Sequence, residues 1–455
     1  MLRFFNIYCP TRTLLLVAAQ IMLIFLAFTV AGYSAIGADW QGPFVDHDWA
    51  LRVTAITAIV LLLAHYFDMY SPDSLIARGQ VFFRLLAVIG ILSILLSAVT
   101  WFYPDLAGDT LLLGLVLMTV LLVLLWVAYY RLASSRIFRE KVYILGSGQR
   151  AQEIAALIRN RPDAGMEVVV ADPVHAALSD IDRLAEELAS LDHGNRRPDR
   201  IILAMEDRRG TIPVAQLLNL RVRGVAVEDA NSLIERMCGK LPLSGLYPSN
   251  LIFAEGFSIN AGHQMVRRML SFLVAAVALL ICLPFIPFIM LAVKLSSPGP
   301  VFFSQNRVGK NGRIIRVHKF RTMRQDAEAN GAVWAVKNDP RVTRVGMFMR
   351  KTRLDEIPQL WNVLCGDMAF VGPRPERPEF VSGLSKNIPY YDLRHIVRPG
   401  LTGWAQVRYR YGASVEDARN KLEFDLYFLK HLSITLDLFI MFETIKTILL
   451  RRGAQ

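Results

Sequence analysis

The chain has 455 residues, 53% of them hydrophobic and only 20% charged, with a mean hydropathy of +0.35. A soluble domain is usually about 45–50% apolar and about 25% charged, so an ordinary soluble enzyme is excluded, as are disordered and collagen-like chains. The net charge of +12 is confined to the last third: residues 294–455 hold 27 Lys/Arg against 15 Asp/Glu, also +12, and the first 293 residues balance to zero.

Four apolar runs come first, at residues 14–35, 53–67, 85–103 and 111–130. About 20 helical residues cross a bilayer core, so residues 1–135 are expected to form a four-helix transmembrane bundle. The first run is too long for a signal peptide and has no small-residue cleavage site, which makes it an anchor. Arg3 and Arg12, then Arg78 and Arg84, then Arg131, Arg136, Arg139 and Lys141 alternate with loops carrying only acids, Asp39, Asp46 and Asp48, then Asp105 and Asp109. By the positive-inside rule both ends of the bundle face the cytoplasm.

Residues 136–262 change character. Short apolar segments at 142–145, 168–171 and 200–204 alternate with helical stretches, the pattern of a parallel α/β domain. The turn Gly146-Ser147-Gly148-Gln149-Arg150-Ala151 loosely fits a dinucleotide-binding fingerprint, with Asp172 as a candidate ribose ligand. Glycines are needed at such a turn with or without a ligand. The expectation is therefore a Rossmann-like domain with a regulatory or scaffolding role.

The third region, 263–455, opens on an apolar stretch, 269–293, interrupted by Pro284 and Pro287. Arg267 and Arg268 precede it and Lys294 follows, so both flanks favour the cytoplasm. The segment is expected to be re-entrant, breaking at Leu283-Pro284. The alternative is a fifth span that exports the basic domain. The four cysteines, Cys9, Cys238, Cys282 and Cys365, form no CxxC pair, which fits a reducing compartment.

The chemistry-bearing residues follow. Lys319 and Arg321 flank Phe320 in a strand-like segment and are expected on one face. Asp355 and Glu356 sit beside Arg350, Lys351 and Arg353, just before Pro358 and a helix through 359–364. An acid there can be merely an N-cap. Two carboxylates among cations can also bind a divalent metal while the cations hold phosphate, and carboxylates serve as nucleophiles toward phosphoryl groups. Arg374, between two prolines, and Arg398, before a Pro-Gly turn, suit phosphate binding on stiff loops. Without zinc-finger, helix-turn-helix or RNA-binding signatures, nucleic acid is not an expected partner. Residues 432–450 mix apolar and charged positions and read as an interfacial helix.

From about residue 265 to the end the chain resembles the bacterial sugar transferases, monotopic polyprenyl-phosphate hexose-1-phosphate transferases. The motifs that carry the resemblance are the Leu283-Pro284 break, KFRTM at 319–323, LDEIPQLWNVLCGDM at 354–368, VGPRP at 371–375 and RPGLTGWAQV at 398–407. The bundle and Rossmann-like domain upstream resemble the long form of that family. GPRPERPEF and WAQVRYRYGAS resemble the exosortase-linked exopolysaccharide subgroup.

The resemblance implies transfer of a hexose 1-phosphate from a UDP-hexose, glucose or galactose, to undecaprenyl phosphate at the bacterial inner membrane, initiating exopolysaccharide synthesis. Asp355 would attack the β-phosphate, Glu356 would help place Mg²⁺ (or Mn²⁺), and Lys319, Arg321, Arg350, Arg374 and Arg398 would hold phosphate. Membrane lipids, and a second copy in a homodimer, are the other partners implied. Arg353 departs from the small hydroxyl residue common in relatives. Two other classes stay open at this point. One is a membrane-anchored dinucleotide-dependent nucleotide-sugar enzyme, although residues 146–265 lack its Tyr–Lys pair. The other is a non-catalytic assembly scaffold.

Overall fold

A computed structural model describes residues 2–4, 7–36, 47–71, 78–102, 109–134, 139–146, 148–169, 197–205, 212–254, 256–258, 260–325, 327, 339–409, 412 and 414–450. It divides into two compact units, one of residues 1–3 and 8–233, the other of residues 4–7 and 234–455.

In the first unit each apolar run becomes a long helix: α1 (Thr11–Ile36), α2 (His47–Tyr66), α3 (Arg78–Phe102) and α4 (Asp109–Ser134). Ile24, Leu92 and Met118 are fully buried where the helices meet, whereas Leu15, Met22, Phe83, Ile94 and Leu112 face outward. An apolar exterior of this kind is what a hydrocarbon solvent selects. Together with residues 261–296, five described segments are long and apolar enough to cross a membrane.

The same unit holds a parallel sheet of β1 (Glu140–Leu145), β2 (Met166–Val168), β3 (Arg200–Leu203) and β4 (Ala226–Asp229), in the order β2-β1-β3-β4, with α5 (Gln149–Arg159) after β1 and α6 (Val214–Val222) before β4. The segments expected at 142–145 and 200–204 are its two central strands. β4 was not expected: its four residues are all half-buried and lack an apolar alternation. Gly146 and Gly148 both take positive φ, and a Cβ on Gly146 would lie 2.8 Å from the Ala204 carbonyl carbon. The turn therefore needs its first glycine for strand packing alone. Asp172 lies outside the described residues.

The second unit begins earlier than residue 263. Leu241 N–H donates to the Glu423 carbonyl at 2.9 Å, Lys240 pairs with the Glu423 carboxylate at 2.7 Å, and Leu241, Leu243 and Leu246 share a core with Leu422 and Leu426. Residues 234–262 thus pack with the C-terminal region. Helix α7 (Ala261–Cys282), capped by the Asn260 side chain, runs through a 3₁₀ turn at Leu283–Phe285 into α8 (Ile286–Ser296). Most of both helices is exposed. Ala275 of α7 and Val293 of α8 are buried in one core with Ile315, Val317 and Leu360. Midway along α7 Ser271 Oγ accepts from Phe370 N–H; just past α8, the Ser297 carbonyl accepts from Arg321 at 2.6 Å.

An antiparallel hairpin follows, β5 (Phe302–Val308) and β6 (Ile314–Phe320), then α9 (Arg344–Thr352), α10 (Gln359–Cys365), β7 (Ala369–Val371), α11 (Pro378–Asn387), β8 (Gly400–Thr402), α12 (Val415–Lys430) and α13 (Ile434–Leu449). In α13 the charged residues Asp437 and Lys446 are buried, Asp437 against Arg267 at 2.5 Å, while Leu438, Ile445 and Leu449 face outward. Leu436 and Ile440 are buried on the inner side as well, so apolar residues lie on both sides of the helix.

β7 and β8 pair in parallel, joining VGPRP to RPGLTGW backbone against backbone. A Cβ on Gly372 would lie 2.5 Å from the Arg398 carbonyl, and one on Gly403 would strike the Gly372 carbonyl. Gly372→Ala is therefore expected to lower stability by about 1–3 kcal/mol through overpacking. Gly383→Ala, in exposed α11 with open space around it, should be neutral or stabilising by up to about 1 kcal/mol. Thermal unfolding of the two variants in one detergent tests the contrast.

Candidate active site

Three separate segments meet at Asp355 and Glu356. Thr343 caps α9, and Gly346 in its first turn lies against the Thr322 backbone so closely that a Cβ would collide with the Thr322 carbonyl. That contact sets Arg350, whose Nε donates to Thr322 Oγ1 at 3.0 Å. The helix stops at Arg353, which adopts left-handed backbone angles (φ 60°, ψ 14°), and Leu354–Glu356 form a single 3₁₀ turn before α10. Asn362 fastens α10 to the hairpin: its Nδ2 donates to the Arg316 carbonyl at 2.8 Å, and its Oδ1 accepts from His318 N–H at 3.1 Å. The next residue of that strand is Lys319.

Glu356 Oε1 gathers three cations: Arg374 Nη2 at 2.7 Å, Lys319 Nζ at 3.3 Å and Arg353 Nη1 at 3.6 Å. Arg374 is held in turn by Arg394, whose Nη2 donates to the Arg374 carbonyl at 2.9 Å and whose guanidinium is buried against Asp425. Asp355 is differently served. Its side chain caps nothing, and its buried Oδ1 has no hydrogen-bond partner. The capping explanation for this acid is removed.

The two carboxylates are driven apart electrostatically. Burial, and then the neighbouring Glu356 charge, raise the Asp355 pKa above the usual aspartate value, against the pull of Lys319, Arg353 and Arg350. Burial would raise Glu356 as well, but Arg374, Lys319 and Arg353 outweigh it and hold Glu356 far below the carboxylate range. Burial lowers the Lys319 pKa despite Glu356. Paired groups pushed in opposite directions are a mark of divided chemical roles. Glu356 is a fixed anion within a cationic clamp. Asp355 is a more basic carboxylate with an oxygen to spare.

Of the residues expected at the site, Lys319, Arg350 and Arg374 surround the carboxylates. Arg321 does not share a face with Lys319. The strand ends at Phe320, and Arg321 is buried against the Ser297 and Val293 carbonyls over Gly299, so it anchors the end of α8 instead. Arg398 lies in a separate cleft with Arg268 and Lys310, and Pro284 sits in the turn between α7 and α8. The Arg353 guanidinium, named in sequence as a neighbour of the pair, joins the clamp. One residue was missed: Gln359, 3% exposed, has a buried Nε2 without a partner. Among the described residues no group of three or more His, Cys, Asp or Glu converges.

Residues 262–451 match the bacterial sugar transferase profile. The chain is 42% identical over 231 residues to a UDP-N-acetylgalactosamine-undecaprenyl-phosphate N-acetylgalactosaminephosphotransferase of Aeromonas hydrophila, covering 51% of this chain and 54% of that protein. It is 34% identical over 331 residues to an undecaprenyl-phosphate glucose phosphotransferase of Komagataeibacter xylinus, covering 70% and 61%. It is also 34% identical over 323 residues to the UDP-glucose:undecaprenyl-phosphate glucose-1-phosphate transferase of Escherichia coli K12, covering 68% and 67%. The matches thus span a little over half to two thirds of these relatives.

The two acids should respond oppositely to neutralisation. Because the folded state raises the Asp355 pKa, its contribution to stability is present below the unfolded value and lost as pH rises through the folded one, so at neutral pH the buried charge is a cost. Asp355→Asn should leave the melting temperature unchanged or raise it. The lowered Glu356 pKa gives the reverse: its contribution is present above the unfolded value and lost as pH falls. Glu356→Gln should cost about 1–3 kcal/mol at pH 7, since three cations lose their shared negative charge. Melting curves of both variants at pH 7 check the pair, and equal destabilisation would contradict it.

Proposed function

The chain belongs to the bacterial sugar transferase family, and on that basis we propose that it transfers a hexose 1-phosphate from a UDP-hexose to undecaprenyl phosphate with release of UMP, initiating exopolysaccharide synthesis. The observation that carries the reading is Asp355: a buried carboxylate oxygen without a protein partner, raised in basicity, beside a cationic clamp.

The chemistry balances without an external proton. Asp355 attacks the β-phosphorus, a carboxylate–phosphorus bond forms, and the bridging P–O bond breaks with its electron pair leaving on UMP. An oxygen of undecaprenyl phosphate then attacks the same phosphorus, and the acyl-phosphate bond breaks to restore the carboxylate. Lys319, Arg350, Arg353 and Arg374 are grouped where diphosphate oxygens need neutralising, and Gln359 Nε2 is a donor in search of an acceptor.

Mg²⁺, with Mn²⁺ as a substitute, fits the donors available. Asp355 Oδ1 is unpartnered, and all three cation contacts to Glu356 fall on Oε1, leaving Oε2 for the metal. Mg²⁺ commonly uses one or two carboxylates and completes its shell with water and phosphate. When bound it would withdraw charge from the diphosphate and the departing UMP.

The re-entrant form of α7 and α8 is supported by hydrogen bonds at Ser271 and Ser297 to the same α/β unit. A straight helix would separate Ser271, midway along α7, from Ser297, just past α8, by roughly 39 Å. The parallel-sheet domain is read as Rossmann-like, with an assembly or regulatory role. Cytoplasmic placement follows from the basic flanks. In a cysteine-free background, Arg221→Cys and Glu379→Cys should both be shielded from an impermeant thiol reagent in intact cells. Labelling of position 379 from outside would sink the re-entrant arrangement.

Given UDP-hexose without lipid acceptor, the enzyme should release about one UMP per site and gain a hexose-phosphate by intact mass, on the logic of burst kinetics. Asp355→Asn should show neither. The rate of this burst should fall on acidification, with a midpoint above the usual aspartate value, because only the ionised carboxylate attacks. Absence of UMP until lipid is added would favour direct transfer in a ternary complex.

A further inference from the structure

Away from the carboxylate pair, a second, shallow cleft opens to solvent beside the first turns of α7. Arg268, Lys310 and Arg398 project into it, alongside Gln264 and Ser271. Arg267, also on its wall, is neutralised by a bidentate pair with Asp437. The other three cations have no carboxylate partner among the described residues. Arg268 donates to the Val363 and Leu364 carbonyls at the end of α10, Lys310 reaches only Gln264 Oε1 at 3.4 Å, and Arg398 lies close enough to Arg268 for the two charges to repel. Three cations converging on open space, with backbone and amide contacts in place of counter-ions, make a site that lacks its anion.

Depth in the membrane indicates which anion. The apolar run of α7 starts at Met269, one residue past Arg268, and Met269, Phe272 and Leu273 are all exposed. The cleft therefore sits at the headgroup level, where charged ligands are tethered to lipid. It is also distinct from the reacting centre. Arg268 holds the C-terminal end of α10, whereas Asp355 and Glu356 precede its N-terminal end, and a seven-residue helix is roughly 10 Å long.

We propose that the Arg268–Lys310–Arg398 cleft binds a lipid-borne phosphate at the membrane surface, separately from the site where phosphoryl transfer occurs. The anion site stands on this geometry alone. Only its identification with the incoming acceptor, rather than a bulk phospholipid, rests on the proposed transferase function.

Native mass spectrometry of the full chain in neutral detergent, titrated with polyprenyl phosphate, phosphatidylglycerol, uncharged polyprenol or inorganic phosphate, tests it. The wild type should retain a phosphate-bearing lipid at concentrations where polyprenol is not retained. Lys310→Gln combined with Arg398→Gln should retain one fewer, with at least tenfold weaker binding of that lipid. Lys310→Gln alone, which removes only a long contact to Gln264, should show a weakening of several fold if the double variant is poorly folded. Retention of polyprenyl phosphate but not phosphatidylglycerol would support the site and identify the acceptor; retention of both would support it as a general headgroup anchor. Equal retention by wild type and variants, equal retention of polyprenol, or competition by inorganic phosphate at the lipid's own concentration would each overturn it. An Asp355→Asn chain that still retains the lipid would keep this proposal while leaving the transfer chemistry to its own test.

Discussion

One carboxylate oxygen organises the reacting centre. Glu356 Oε1 draws a lysine from a strand, an arginine from the end of a helix and an arginine from a proline-bounded loop onto one point. In free solution these cations would repel one another and remain hydrated. Around a buried anion they are held together, and the field they create is assembled in advance of any ligand. Because Glu356 absorbs the clamp, Asp355 beside it is left with a basic oxygen and no bond to break before it can react. The division of labour between two adjacent acids follows from which of them the cations reach.

The rest of the α/β unit keeps those segments in place. Asn362 ties α10 to the strand of Lys319, the absence of a Cβ at Gly346 lets α9 lie on Thr322, and the close backbone approach at Gly372, Gly400 and Gly403 sets the loop of Arg374 against that of Arg398. Arg321 completes the arrangement from the apolar helices by gripping the Ser297 carbonyl. A residue that reads like a phosphate ligand is thus a structural link between those helices and the α/β fold.

Much of this was legible in the sequence because it is local. Apolar runs gave the four long helices of the first unit, and adjacency identified Asp355 and Glu356 together with their basic neighbours. The errors are informative. Strand alternation placed Arg321 beside Lys319, but alternation ends where the strand ends, at Phe320. The capping role weighed for the acid before Pro358 falls away, because after a left-handed Arg353 Asp355 lies in a 3₁₀ turn and its side chain caps nothing. The boundary near residue 262 followed composition, but leucines at 241, 243 and 246 are claimed by a helix some 180 residues later. The cleft of Arg268, Lys310 and Arg398 joins positions far apart in the chain, and no window of sequence brings them together.

Arg353 has a consequence of its own. A side chain in the left-handed region is strained by roughly 1–2 kcal/mol, a strain that glycine escapes. The chain keeps a bulky cation there and places its guanidinium against Glu356. A programme that screened only for ruggedness would select glycine at this position early, gain a better-behaved protein, and discard a third of the charge gathered on that oxygen. Position 353 is where durability and chemistry ask for different residues.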